Sequence, residues 1–586
     1  MNWDLTNLYP SLDAWQKSYD EVNSIIENMG TYQGKLNAFS TFKEYYGLQK
    51  DLSVQLIKVY QYAALTYDLD RKNTENGGRV QKMAFLLSKL NQITSFESPE
   101  LLEIGSDTIL GFIDQDSELE EYRFAISKLF RNQEHVLDKK SESLLANYTQ
   151  LSGQGHELYN ALAVADKEDK VVVLSSGEKV VITSGNYRSY LADLESPEDR
   201  KTVFEAIFSQ YKDHKNTYAQ IYNTILQRDV ANMKNRKYAS SLESYLFGNN
   251  IPLDVFHNLV DVASNNTAPI KRYYKLRKDY LGFEKHHTYD RFIALAESKT
   301  KFSYEEAKDL FFKSISHLSK AFQEKAHTAL EDGYVDVYET DGKQTGAYSW
   351  GSTNEHPFIL LNYDDTLNYV FTVAHEAGHS MHSLFSAENQ PVATQNYTIF
   401  VAEIASTFNE HNLLDYFIKN ANTSKDDKIS LLQQSIDDIL GTFYRQTLFA
   451  AYELKAHEMA EAGEPVTYES LSQIMIDLYK QFYDIDITEE NGKEYVWAYI
   501  PHLYGTPFYV YQYATSFAAS LKLYELVQED PKNIDAHINL LKSGGNDYPV
   551  NQVKKAGVDL TTKEPFLAVV NRLNKLLDEL EVALKE

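Results

Sequence analysis

Cysteine is missing from all 586 residues, which removes disulfides, thiolate nucleophiles and every Cys-ligated zinc or iron–sulfur centre. Any metal must therefore sit on His, Asp or Glu. Basic residues are scarce too: 57 Lys and Arg stand against 84 Asp and Glu, a formal charge of −27. So acidic a surface repels phosphates, which excludes sequence-independent nucleic-acid binding and adhesion to anionic membranes. No apolar run is long enough for a lipid span; the most apolar late stretch, 499–520, is broken by His502, Gly505, Pro507 and Gln512. The opening MNWDLTNLYPSLDAW has neither a basic n-region nor an apolar core, so no secretory signal is read there and a cytoplasmic address is expected. The phosphate-loop pattern and the serine-hydrolase pattern G-x-S-x-G are also missing.

What is present is helical period and tyrosine, 43 copies of it, most suited to helix interfaces with the hydroxyl near water. Apolar residues three and four apart in DAWQKSYDEVNSIIENM and in FKEYYGLQKDLSVQLIKVYQYAALTYDL predict helices. The period changes at KVVVLSSGEKVVIT, where two β-branched runs flank Ser175, Ser176, Gly177 and Glu178; a hairpin near 170–183 follows. Long amphipathic helices then resume, which divides the chain into an N-terminal helical lobe, 1–190, and a second domain, 191–586. Between 334 and 363 glycines at 342, 346 and 351 and Pro357 interrupt the helices. Here GAYSW reads as a flexible loop and PFILLNY as a short edge strand able to pair with an extended peptide. The fold class is mainly α.

The segment TLNYVFTVAHEAGHSMHSLF carries His375-Glu376-Ala377-Gly378-His379, an H-E-x-x-H pattern that this composition yields about 0.03 times by chance. On a helix His375 and His379 lie about 40° apart and one turn along, so both imidazoles converge on one ion. Glu376 sits on the flank, where a carboxylate reaches water at the metal without becoming a ligand. Gly378 costs helix stability and implies close approach of a neighbouring element. A catalytic zinc needs a third protein ligand. His382 lies on the same stripe, but i, i+4 and i+7 span about 10 Å and cannot share an ion. Glu403, amid Phe400, Val401, Ala402, Ile404 and Ala405, is a costly carboxylate unless something pairs with it, and a metal would do so. Glu410, two turns on, is placed to hydrogen-bond a ligand imidazole.

GAYSW, PFILLNY, HEAGHSMH, FVAEIASTFNE and HLYGTPFYVYQYATS resemble, in order and spacing, oligoendopeptidase F and more distantly thimet oligopeptidase. WDLTNLY, SLESYLFGNNIP and SGGNDYPVNQVKKAGVDL extend the likeness over nearly the whole chain. The resemblance implies one zinc ion on His375, His379 and Glu403, with Glu376 as general base. It implies a two-lobed, mainly helical zincin-type metallopeptidase with a small β-sheet near the active site and a deep cleft for short peptides. The implied activity is hydrolysis of internal bonds in oligopeptide substrates; a dipeptidyl carboxypeptidase and a silent peptide-binding protein are the alternatives. His502 matches the family's oxyanion-stabilising histidine. The partner tyrosine is open among Tyr509, Tyr511 and Tyr513: an aromatic-x-x-Tyr reading from Phe508 selects Tyr511, and alignment of the following small residues favours Tyr513. Gly346, Ala347, Tyr348 and Tyr513 are the expected substrate contacts.

Overall fold

The computed structural model describes residues 2–352, 355–420 and 423–585. Its elements include, in chain order, helices α1 (Leu12–Met29) and α2 (Phe39–Leu69), strands β1 (Lys170–Val173) and β2 (Lys179–Ile182), and helix α3 (Lys215–Asn235). Strands β3 (Val335–Asp336), β4 (Tyr348–Ser352) and β5 (Glu355–Leu360) come next. Helices α4 (Leu367–Asn389), α5 (Ile399–Lys419), α6 (Arg445–Glu461), α7 (Tyr511–Glu529) and α8 (Ile534–Lys542) follow. The fold is mainly α, as expected, with two small sheets among the described residues. No helix among those residues is long and apolar enough to cross a membrane.

The chain forms two compact units, each assembled from separated stretches. The first gathers Met1–Glu134, Thr300–Asn420 and Ala519–Val558; the second gathers His135–Lys299, Ala421–Ala518 and Asp559–Glu586. None of these junctions falls at residue 190, because elements distant in sequence share each core.

In the first unit α1 buries Trp15, Val22, Ile26 and Met29 along one stripe, and the Trp15 indole donates to the Val59 carbonyl of α2 at 2.9 Å. Phe358 and Leu360 of β5 join this core, and the Trp3 indole donates to the Ile359 carbonyl at 2.8 Å. The sheet order is β3-β5-β4, with β5 parallel to β3 and antiparallel to β4. Two expectations are corrected here. PFILLNY supplies the central strand rather than an edge, consistent with its unbroken apolar run: Phe358, Ile359 and Leu360 are all buried, the mark of a strand covered on both faces. GAYSW is loop only at Gly346 and Ala347, because Tyr348 onward forms β4. The Tyr348 hydroxyl donates to Asp68 at 2.6 Å and Trp350 packs edge-on against Tyr60 of α2 at 5.5 Å, which anchors the strand.

In the second unit β1 and β2 pair with Val171 opposite Val181, and Gly177 closes the turn at φ +85°, a conformation glycine adopts without steric cost. Helices α3 and α6 meet through stacked rings of Tyr222 and Tyr452, 6.2 Å apart.

Candidate metal centre and catalytic residues

Helix α4 begins where Asp364 accepts hydrogen bonds from the Thr366 amide at 3.0 Å and hydroxyl at 2.6 Å. It then buries Val370, Val373, Ala374 and Ala377, which turns His375 and His379 toward α5. The Asn409 side chain donates to the Ala374 carbonyl at 3.0 Å, while Gly378 lies against Ala405 and Ser406 and His379 against Glu403. Rising numbers on α4 thus meet falling numbers on α5, so the helices run antiparallel. The approach is so close that a Cβ at Gly378 would stand 2.6 Å from the Ala405 carbonyl oxygen.

Glu403 Oε2 lies 3.4 Å from His375 Nε2 and 3.6 Å from His379 Nε2, and the three donor atoms fall within 4.8 Å of one another. A tetrahedral ion with bonds of about 2.1 Å places its donors about 3.4 Å apart, so this donor set fits zinc in kind and in spacing. The ligand orientations are held from behind. Glu410 Oε1 meets His375 Nδ1 at 2.8 Å, the Ala402 carbonyl accepts from His379, and the Ser406 hydroxyl donates to Glu403 Oε2 at 2.9 Å. The bonds to His375 and His379 leave the other ring nitrogen of each for the metal, and the Ser406 bond fixes the carboxylate oxygen that faces both rings. The sequence signal for Ser406 was its position three residues after Glu403, within one helical turn. His382 is outside the donor group: it is buried and stacks on Tyr397 at 3.5 Å with 5° between the rings.

Three carboxylates surround the two imidazoles. Burial works against a charged His375, but Glu410 foremost, then Glu376 and Glu403, push it up to about 9. His379, buried beside His375, is pulled down to about 4. The raised His375 expresses a surplus of negative charge, which a divalent cation would neutralise, whereas His379 is lowered by burial and by the charge on His375. Glu376 is 5% exposed, and burial pushes its carboxyl up to about 7. The Ser349 amide of β4 bonds to this carboxylate, and Oε2 has no hydrogen-bond partner among the described residues.

In the second unit His502 lies parallel to Tyr509, 5.9 Å away and 10° from coplanar, and edge-on to Tyr513 at 6.2 Å. Tyr509 and Tyr513 are 5.5 Å apart. Tyr511 is not brought to His502: it is buried against Phe256 at 5.4 Å. Tyr509, just before helix α7, and Tyr513, in its first turn, both face His502, while Tyr511 faces Phe256. Of the expected loop contacts, Gly346 is exposed at φ +85° with its carbonyl accepting from Asn362 at 2.8 Å. Ala347 is half-buried, and the Tyr348 hydroxyl is committed to Asp68.

A family model described as Peptidase family M3 matches residues 190–572, well over half of the chain. The chain belongs to peptidase family M3. A second model, described as Oligopeptidase F, matches residues 100–168 of this M3 peptidase. It is 35% identical to Oligopeptidase PepF of Bacillus subtilis over 99% of this chain and 86% of that protein. It is 34% identical to Group B oligopeptidase PepB of Streptococcus agalactiae over 99% and 96%. Among solved structures it matches oligoendopeptidase-F from Enterococcus faecium with a TM-score of 0.75 and 28% identity, covering 97% of this chain and 98% of that one. A Chlamydophila abortus structure matches with a TM-score of 0.91 and 33% identity, covering 99% and 98%. The M3 peptidase is therefore a metallopeptidase of the oligoendopeptidase F type, with the zincin-like fold of that group.

Proposed function

We propose that this M3 peptidase is an endopeptidase that hydrolyses internal bonds of short oligopeptides with one zinc ion on His375, His379 and Glu403. The donor spacing of 3.4 and 3.6 Å carries this reading. When bound, the ion supplies a Lewis acid that acidifies water and polarises a carbonyl. Glu376 takes the proton of the attacking water on its unpartnered oxygen and returns it to the leaving amine. Burial, by raising its pKa, suits it to both steps near neutral pH. By its likeness to the oligoendopeptidase F group, His502, with the hydroxyl of Tyr509 or Tyr513, is assigned the stabilising of the oxyanion. Glu410 holds His375 by its Nδ1 proton throughout. The peptide backbone pairs with β4, an edge strand of the order β3-β5-β4, which gives affinity with little side-chain selection.

The test is Glu376→Gln with zinc content measured in parallel. Turnover is expected to fall about 10²- to 10⁴-fold with metal retained; surviving turnover rejects the general-base role. Product masses from a quenched peptide panel should show internal cuts abolished by a chelator. Release of C-terminal dipeptides alone would indicate a dipeptidyl carboxypeptidase instead.

A further inference from the structure

Phe508 stands at φ +52°, a left-handed conformation that a bulky side chain adopts only where its surroundings impose it. Those surroundings are on α6, on α3 and on the short helix Ser241–Phe247. The Phe508 amide donates to Glu453 Oε1 at 2.7 Å. The Phe508 ring packs 4.5 Å from His457 and 5.5 Å from Tyr245. His457 is itself fixed at both nitrogens: Nδ1 meets the Glu453 carbonyl at 2.8 Å, and Nε2 meets Asp229 at 3.1 Å. Asp229 in turn accepts from the Tyr245 hydroxyl at 2.9 Å and from Arg228 at 2.8 Å.

Glu453 is the unexpected member. It is 1% exposed and has no ion pair among the described residues, so a leucine or methionine would fill its place at less cost. What a carboxyl alone offers there is an acceptor for one amide, that of the strained residue. Immediately after this kink comes Tyr509, and six residues before it His502. The two rings face each other only because the chain turns at Phe508.

We propose that Glu453 is a positioning residue for the peptidase reaction: by accepting the Phe508 amide hydrogen it holds the left-handed turn that sets Tyr509 and Tyr513 beside His502. The inference rests on the reading that His502 and these tyrosines serve the oxyanion. Burial pushes the Glu453 carboxyl well above the ordinary carboxylate range, and glutamine is a near isostere that still offers an oxygen.

The experiment compares Glu453→Ala, Glu453→Asp and Glu453→Gln in the full-length zinc-loaded enzyme, each in wild-type and His502→Ala backgrounds. Alanine, and aspartate whose carboxyl falls about 1.5 Å short, should lower kcat about 10- to 100-fold with KM within about threefold and zinc content unchanged. Glutamine should restore kcat to within about threefold of wild type. Added to His502→Ala, Glu453→Ala should cost less than about twofold more, because the two act through one unit. Unchanged kcat in the alanine variant overturns the proposal, as do a glutamine variant as poor as alanine and losses that multiply in full. If neither alanine nor aspartate gives folded protein, Glu453 is a structural group and the proposal is wrong. Full activity in His502→Ala alone would instead remove the oxyanion reading, whatever Glu453 does.

Discussion

At the scale of single residues the site is a problem in charge. His375 faces Glu403 and Glu410 on its two nitrogens, so without a metal it keeps a proton, and a cation binding at Nε2 must displace it. Glu410 makes the exchange favourable by accepting the Nδ1 proton and fixing the tautomer. Replacing Glu410 by alanine is expected to weaken zinc binding about 10- to 100-fold, read by competition with a chromophoric chelator, while Glu376→Gln leaves that affinity nearly unchanged. The donor group of His375, His379 and Glu403 was legible because H-E-x-x-H is local geometry and because Glu403 sits among apolar neighbours. Tyr511 was not: its distance from His502 depends on the left-handed turn at Phe508, which nothing in PFYVYQY announces.

At the scale of elements the candidate metal centre depends on how closely α4 and α5 approach. Gly378 lies at their contact, and its missing side chain admits the Ala405 carbonyl. Gly378→Ala must push the helices apart, at an expected cost of about 1–3 kcal/mol in stability. Because Glu403 moves with α5, zinc should be lost along with stability; calorimetry and metal analysis of one preparation check both. A drop in Tm with full zinc occupancy would show that the ligands tolerate the shift. The helix pattern foretold this approach, since glycine inside a helix needs a reason. It did not foretell the sheet order, because Phe358 to Leu360 reads equally as an edge strand until both of its hydrogen-bonded neighbours are seen.

Across the whole molecule, each unit draws on three separated stretches, so its core holds residues whose burial no single segment reveals. His537 on α8 is one. It is fully buried, stacked on Phe408 at 4.1 Å with neither ring nitrogen hydrogen-bonded among the described residues. Burial pulls its pKa down to about 3. The unfolded chain takes a proton there near pH 6.5 and the folded chain does not, so stability is lost as pH falls from about 6.5 toward 3, by about 1.4 kcal/mol per pH unit from this group. His537→Phe removes that contribution. Its Tm should fall less than that of the wild type between about pH 7 and pH 5, followed by scanning calorimetry; parallel curves would contradict the assignment.

The amino-acid sequence by itself determined the helical class, the exclusion of thiol chemistry and the two imidazoles with their flanking carboxylate, since these follow from composition and from repeats shorter than two helical turns. Tertiary structure alone decided which tyrosines stand beside His502, which strand is central and which acid holds the strained turn. Glu453 and Phe508 are 55 residues apart, and their bond exists only once α6 has packed. Short-range periodicity records where a side chain points along its own element; it carries no record of what arrives from elsewhere in the chain to meet it.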